Sequence, residues 1–165
     1  MTGRARLERV IRILGLGNDL LADDGFGFAV ARELERLFGR QVEVICSSAS
    51  GLALLDALAG ASQLLVLDTW QTGASAPGTL YRADEATLPA ARGPSLHYVG
   101  LLDTLALGRR LQMPMPSDLA IVAVEPADCL TVGGPMSAAV EQAIPAAVAL
   151  GREIVTAWLE KWGRE

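Results

Sequence analysis

The sequence predicts an α/β protein, with one domain over residues 1–165 and a mostly parallel, twisted sheet between helices on both faces, in three layers. The length of 165 residues favours one domain. Apolar residues make up 51% and charged residues 20% of the chain, which is typical of a globular protein. Strand-like and helix-like hydrophobic patterns alternate, and this alternation favours parallel strands joined by right-handed crossovers.

The predicted strands are short apolar runs. The run "SQLLVLDTW" is almost unbroken, as expected for an interior parallel strand. The run "PGTLYRA" follows a Gly/Ser/Pro loop and predicts a shorter, more exposed strand. The five predicted strands cover residues 10–16, 41–46, 62–70, 77–83 and 118–126. Residues 1–8 are expected to form a flexible basic tip.

Helical spacing of apolar residues predicts the helices. Asp23 is a candidate N-cap of the first helix and Gly39 its C-terminal stop. Ser95 is a candidate N-cap of the third, and Pro145 is expected to kink or divide the last. The four predicted helices cover residues 25–38, 50–60, 95–113 and 134–162.

Charge and composition exclude several classes of function. The net charge is −5 and no Lys/Arg cluster is dense, so neither nucleic acid nor a membrane is an expected partner. No stretch reaches the roughly 18 apolar residues of a membrane span. No signal-peptide pattern is found, so we expect a cytoplasmic protein with reduced cysteines. Two cysteines and one histidine cannot supply the four ligands of a Cys/His zinc site.

Polar residues follow the predicted core strands, where ligands bind in open parallel sheets. These ends carry Gly15–Asp24, Asp68 and Glu125. His97 falls in the first turn of a helix, where a neutral imidazole is favoured. Asp24, Asp68 and His97 together suit a divalent transition ion with open coordination positions. Taken singly, each also fits an ordinary capping or loop-binding role, so the residues alone predict an α/β enzyme with a carboxylate/histidine site.

Three other chemistries fit less well. "GLGNDL" begins like a dinucleotide-binding loop, but Leu20 replaces its third glycine and two aspartates would repel phosphate. The "GASAP" segment lacks the final glycine and the strand-to-helix elbow of a serine hydrolase. Cys46 and His97 could form a thiol site, although a cysteine at a strand end usually serves packing.

Three motifs together resemble the maturation endopeptidases of [NiFe] hydrogenases. They are "GLGNDLLADDGFG" (15–27), "LLVLDTW" (64–70) and "SLHYVGLLDTL" (95–105). The later "VAVEP" and "GGPMSAAVEQAIPAAV" are similar to the last strand and terminal helix of the family. The similarity extends over nearly the whole chain.

The resemblance implies that Asp24, Asp68 and His97 contact a metal and that Asp24 and Asp68 serve catalysis, with Asp24 as the preferred general base. The family commonly has Glu where this chain has the shorter Asp24, and Asp23 is the alternative first acid. Gly15, Gly17, Asn18 and Gly25 are then expected to form a substrate loop. In that loop, Gly15 and Gly17 would allow a tight bend and Asn18 would bond the backbone. Gly25 and Gly27 would leave room for a peptide, unless Gly27 serves helix–sheet packing.

The implied activity is removal of a C-terminal extension from the large-subunit precursor of a [NiFe] hydrogenase after nickel insertion. The nickel would arrive in the substrate, with no permanent metal and no organic cofactor in the enzyme. Two alternatives stay open: a nickel- or precursor-binding assembly chaperone that does not cut, and a nucleotide-binding α/β enzyme.

Overall fold

The core of the molecule is a five-stranded sheet. The computed structural model describes residues 9–88 and 96–164, without the side chains of residues 96–99. The strand order is β2-β1-β3-β5-β4, and only β4 runs antiparallel to its neighbour. The strands are β1 (Ile11–Leu16), β2 (Glu43–Ser47), β3 (Gln63–Thr69), β4 (Leu80–Asp84) and β5 (Asp118–Val124). The predicted mostly parallel sheet is confirmed.

Helices cover both faces of this sheet. They are α1 (Phe26–Phe38), α2 (Leu55–Leu58), α3 (Leu96–Arg110) and α4 (Ala138–Gly163). Helices α1 and α4 pack on one face, where they bury Leu65 and Leu67 of β3. Helices α2 and α3 pack on the other face, over Leu64 and Val66. Successive side chains of β3 face different helical layers, so each is buried and must be either apolar or hydrogen-bonded. This explains the unbroken apolar run of the strand.

Several predicted elements differ in detail. The expected helix over 50–60 is a 3₁₀ turn, Gly51–Leu54, followed by the single turn of α2. Helix α4 is continuous across Pro145, so the predicted division is wrong. The buried face of α4 on the sheet holds the helix together where a backbone bond is missing. The predicted tip (residues 1–8) and the Ser95 cap lie outside the described residues.

The start of α1 lies unusually close to the sheet. A Cβ on Gly27 would lie 2.4 Å from the Leu67 carbonyl oxygen and 2.5 Å from that of Leu16. Gly27 therefore serves helix–sheet packing. Gly15 lies within β1, where its own Cβ would meet the Gly27 carbonyl oxygen at 2.8 Å, so it does not make the bend. The bend is made at Gly17, whose φ of +131° favours glycine.

Candidate active site

Asp68 lies near the end of β3, at the carboxyl edge of the sheet, with a fully buried side chain. Its Oδ1 accepts the Thr69 N–H at 2.7 Å. Its Oδ2 has no hydrogen-bond partner among the described residues. Burial raises the pKa of Asp68 well above its ordinary value; the Thr69 bond opposes this, and the charge of Asp24 adds to it. This carboxylate is therefore costly to ionise without a further partner.

Asp24 lies beside Asp68, in the 3₁₀ turn Ala22–Gly25 between β1 and α1. The Thr69 hydroxyl donates to Asp24 Oδ1 at 3.3 Å. The loop before Asp24 folds back on it, since the Asn18 N–H donates to the Asp24 carbonyl oxygen at 3.2 Å. The Asn18 side chain accepts the Leu20 N–H at 3.0 Å, the kind of side-chain-to-backbone bond that its residue type predicts. Two carboxylates from separate motifs thus meet at one edge of adjacent strands.

Gly17 and Gly25 allow this loop to close. A Cβ on Gly17 would lie 2.0 Å from the Asp24 carbonyl oxygen, and one on Gly25 would lie 3.3 Å from the Asp19 Cα. The loop therefore packs against itself. Its service as a substrate loop stays a prediction.

Asp23 does not cap α1 as predicted, because the N-cap of α1 is Gly25 and no side chain bonds there. Asp23 is fully buried, and its carboxylate accepts four hydrogen bonds. They come from the N–H groups of Ala127 (2.7 Å), Asp128 (2.9 Å) and Ser137 (2.6 Å), and from the Ser137 hydroxyl (3.0 Å). Asp23 thus ties the first motif to the segment after β5 and to the start of α4. These partners are over a hundred residues away, so no local pattern could reveal them.

Cys129 is a site residue that the sequence interpretation missed. Its Sγ donates to the Thr69 hydroxyl at 3.8 Å. Burial, with a smaller contribution from the nearby aspartates, raises the pKa of Cys129 to about 11, although the Thr69 bond opposes this. The thiol is therefore protonated at neutral pH. The only available signal was its position, four residues after the strand-end Glu125.

Glu125, immediately after β5, holds the loop that follows β3. Its buried carboxylate accepts the N–H groups of Thr72 and Gly73 and the hydroxyls of Thr72 and Tyr81. Burial alone would raise the pKa of Glu125, but these bonds outweigh it and hold the pKa below its ordinary value. Glu125 is therefore a fixed anion that shapes the edge of the site.

His97 is the second residue of α3, but its side chain lies outside the described residues. Its predicted contact with the carboxylates accordingly stays a prediction. Among the side chains that are described, no three His, Cys, Asp or Glu residues are placed to hold a metal ion. Asp24 and Asp68 alone supply too few ligands for a metal site.

Fold and site together define an α/β protein whose acidic site lies where β1 and β3 end. A family model described as hydrogenase maturation protease matches residues 28–154. The chain is 30% identical over 153 residues to the hydrogenase expression/formation protein HupD of Thiocapsa roseopersicina, covering 90% of this chain and 68% of HupD. It is 31% identical over 120 residues to the hydrogenase 2 maturation protease of Escherichia coli (strain K12), covering 70% of this chain and 73% of that protein.

The structural comparison agrees with the sequence comparison. The hydrogenase maturating endopeptidase HybD from E. coli superposes with a TM-score of 0.76 and 30% identity, over 93% of this chain and 94% of that one. The chain therefore belongs to the hydrogenase maturation protease family. The predicted family, fold class and endopeptidase activity are confirmed. Within residues 9–88 and 96–164, no helix is both long and apolar enough to cross a membrane.

Proposed function

We propose that this protein removes the C-terminal extension of a [NiFe] hydrogenase large-subunit precursor, and that nickel already bound in the precursor is its recognition element. Membership of the maturation protease family supports the substrate class. One structural observation carries the site assignment: the buried Asp68 Oδ2, which has no hydrogen-bond partner in the part of the chain that the structure describes, lies next to Asp24 at the carboxyl edge.

The donor set fits a metal brought by the substrate. A buried carboxylate oxygen without a donor is unfavourable, and a cation would supply what it lacks. Asp24, Asp68 and His97 would hold the nickel, whose other positions stay with ligands of the precursor. Bound there, nickel would act as a Lewis acid toward the scissile carbonyl. Because the enzyme's own ligands are few, affinity depends on nickel and precursor together, and cleavage follows only after nickel insertion.

The two carboxylates have different exposure, which suggests different roles. Asp68 is fully buried on a rigid strand and suits fixed positioning. Asp24 is partly exposed and is oriented by the Thr69 hydroxyl. Asp24 can therefore meet a water molecule, accept its proton as the water attacks the peptide carbonyl, and return that proton to the departing amine. The carbonyl carbon then carries the hydroxyl group of the water, and the departing nitrogen carries its proton.

The test is incubation of purified nickel-loaded precursor with the enzyme, followed by mass spectrometry of the large subunit. We expect a shortened subunit with the wild type, and uncut precursor when nickel is omitted. Asp68→Asn should leave the precursor uncut while the circular dichroism spectrum is unchanged. Asp19→Asn is the matched control, since Asp19 lies in the loop that leads to Asp24 and is half-exposed in a 3.5 Å ion pair with Arg32.

Two results would count against the proposal. Full processing by Asp68→Asn would remove Asp68 from the mechanism. Tight binding of the precursor by the wild type, with no cut at any nickel loading, would favour an assembly chaperone instead.

A further inference from the structure

We infer that three exposed apolar side chains beside the carboxylates bind an extended apolar segment of the precursor next to its scissile bond. We call Leu20, Leu130 and Val132 the apolar rim; they are 64%, 87% and 77% exposed. This inference rests on the proposed function and adds the chemistry of the segment that is recognised. It concerns binding by side chains that do not touch the reacting atoms.

The apolar rim is assembled from two distant loops. Leu21 and Val132 form an antiparallel bridge, and the Gly133 N–H donates to the Leu20 carbonyl oxygen at 2.8 Å. In the described part of the chain, half of the exposed large apolar side chains belong to these two loops. Single exposed apolar residues need no explanation, but a cluster commonly marks an interaction surface.

The two loops that carry the apolar rim adjoin the candidate site. Cys129, the chain neighbour of Leu130, donates to the Thr69 hydroxyl, and that hydroxyl donates to Asp24. On the other loop, Leu20 precedes Asp24 by four residues, and the backbone between them folds back on Asp24. A peptide bond that reaches Asp24 therefore brings its neighbouring residues past the rim.

The loops of the apolar rim are held in place by hydrogen bonds. The Asp128 carboxylate accepts the N–H of Leu130 at 2.8 Å and that of Thr131 at 3.0 Å, and it also accepts the Thr131 hydroxyl. The Asp128 N–H itself donates to the buried Asp23. The apolar side chains are thus presented to water by a fixed backbone, and such preorganisation lowers the entropic cost of binding.

The size of the apolar rim favours an extended peptide over a second copy of the chain. A stable dimer buries roughly 600 Å² or more on each partner, which three side chains cannot supply. An extended segment presents alternate side chains on one side, and a few apolar residues of such a segment match the rim.

The test measures binding of the nickel-free precursor by titration, because the contribution of the rim needs no nickel. We call the triple variant Leu20→Ser/Leu130→Ser/Val132→Ser the rim variant. We expect it to raise the Kd about tenfold, because loss of even one buried apolar contact has an effect of this size. Leu111→Ser is the matched control, with 58% exposure, in the turn after α3. That turn lies near the amino end of β3, since the nearby Pro114 carbonyl accepts the Gly60 N–H. The control should bind within twofold of the wild type.

Cleavage of the nickel-loaded precursor gives a second measurement. The rim variant should raise KM about tenfold and leave kcat within twofold, because the rim does not touch the reacting atoms. An unchanged Kd in the rim variant, or an unchanged KM for the nickel-loaded precursor, would overturn the inference. A wild type that binds but never cuts would refute the proposed activity and leave the binding result to decide on the rim. A single Leu130→Ser variant checks that any loss does not come from misfolding of the triple variant.

Discussion

Replacement of Asp23 by Asn tests whether this buried carboxylate holds the site together. Its two oxygens accept four hydrogen bonds, three from Ala127, Asp128 and the Ser137 hydroxyl at Oδ2, and one from the Ser137 N–H at Oδ1. An amide has the same shape but only one accepting oxygen. The best orientation keeps that oxygen toward the three donors at Oδ2 and turns the NH₂ group toward the Ser137 N–H.

The expected loss of stability follows from this count of bonds. The Ser137 N–H loses its acceptor and faces a donor, at a cost of about 1–3 kcal/mol. The three remaining bonds change from charge-assisted to neutral, which weakens each by about 0.5 kcal/mol or more. Partial access of water to these loops offsets some of the loss. We therefore expect Asp23→Asn to lower the free energy of unfolding by about 3 kcal/mol, a large share of the roughly 5–15 kcal/mol of a typical domain.

The measurement is equilibrium urea unfolding at neutral pH, followed by circular dichroism, for the wild type, Asp23→Asn and Asp19→Asn. Asp19 is the control because it is exposed in the same loop and its ion pair with Arg32 is long; such pairs contribute about 0–1 kcal/mol. A loss below about 1 kcal/mol for Asp23→Asn, equal to that of Asp19→Asn, would refute the reasoning, because the four bonds would then contribute no more than surface contacts.

Three further predictions use the same unfolding assay or the cleavage assay. Asp68→Asn should lower the rate of precursor cleavage at least about 100-fold. Burial raises the pKa of Asp68 above 3.8, so the wild type should lose stability relative to Asp68→Asn as the pH rises above that value. A stability difference between the two that shrinks with rising pH would contradict this. Gly17→Ala should lower both the unfolding midpoint and the activity, because the new Cβ would overlap the Asp24 carbonyl oxygen and the backbone at residue 17 has a positive φ. Wild-type activity in this variant would refute the tight packing of the loop. Hydrogen bonds hold the pKa of Glu125 below 4.5, so the wild type should lose stability as the pH falls below that value, and Glu125→Gln should not show this loss. Urea unfolding between pH 3 and 7 measures the difference. Identical pH profiles would show that the bonds to Thr72 do not stabilise the anion.

Local patterns in the sequence determined the elements and the place of one site residue. The apolar run of 62–70 requires cover on both faces, so it predicted a central strand and put Asp68 at its carboxyl end. The helical spacing after Gly25 likewise predicted α1, and Gly39 ends it with a φ of +52°. Such features depend on neighbours within a few residues, and these are visible in the sequence.

The tertiary structure alone decided which distant groups meet. Nothing local indicates that β4 is antiparallel, that Asp23 accepts bonds from residues after β5, or that Cys129 reaches Thr69. Asp23 fits an N-cap equally well by residue type, so only the approach of the α4 start could distinguish the two roles. Long-range pairs are selected by packing of the whole chain and leave no periodic signal. A buried carboxylate therefore shows its function only when its partners, present or missing, can be counted in space.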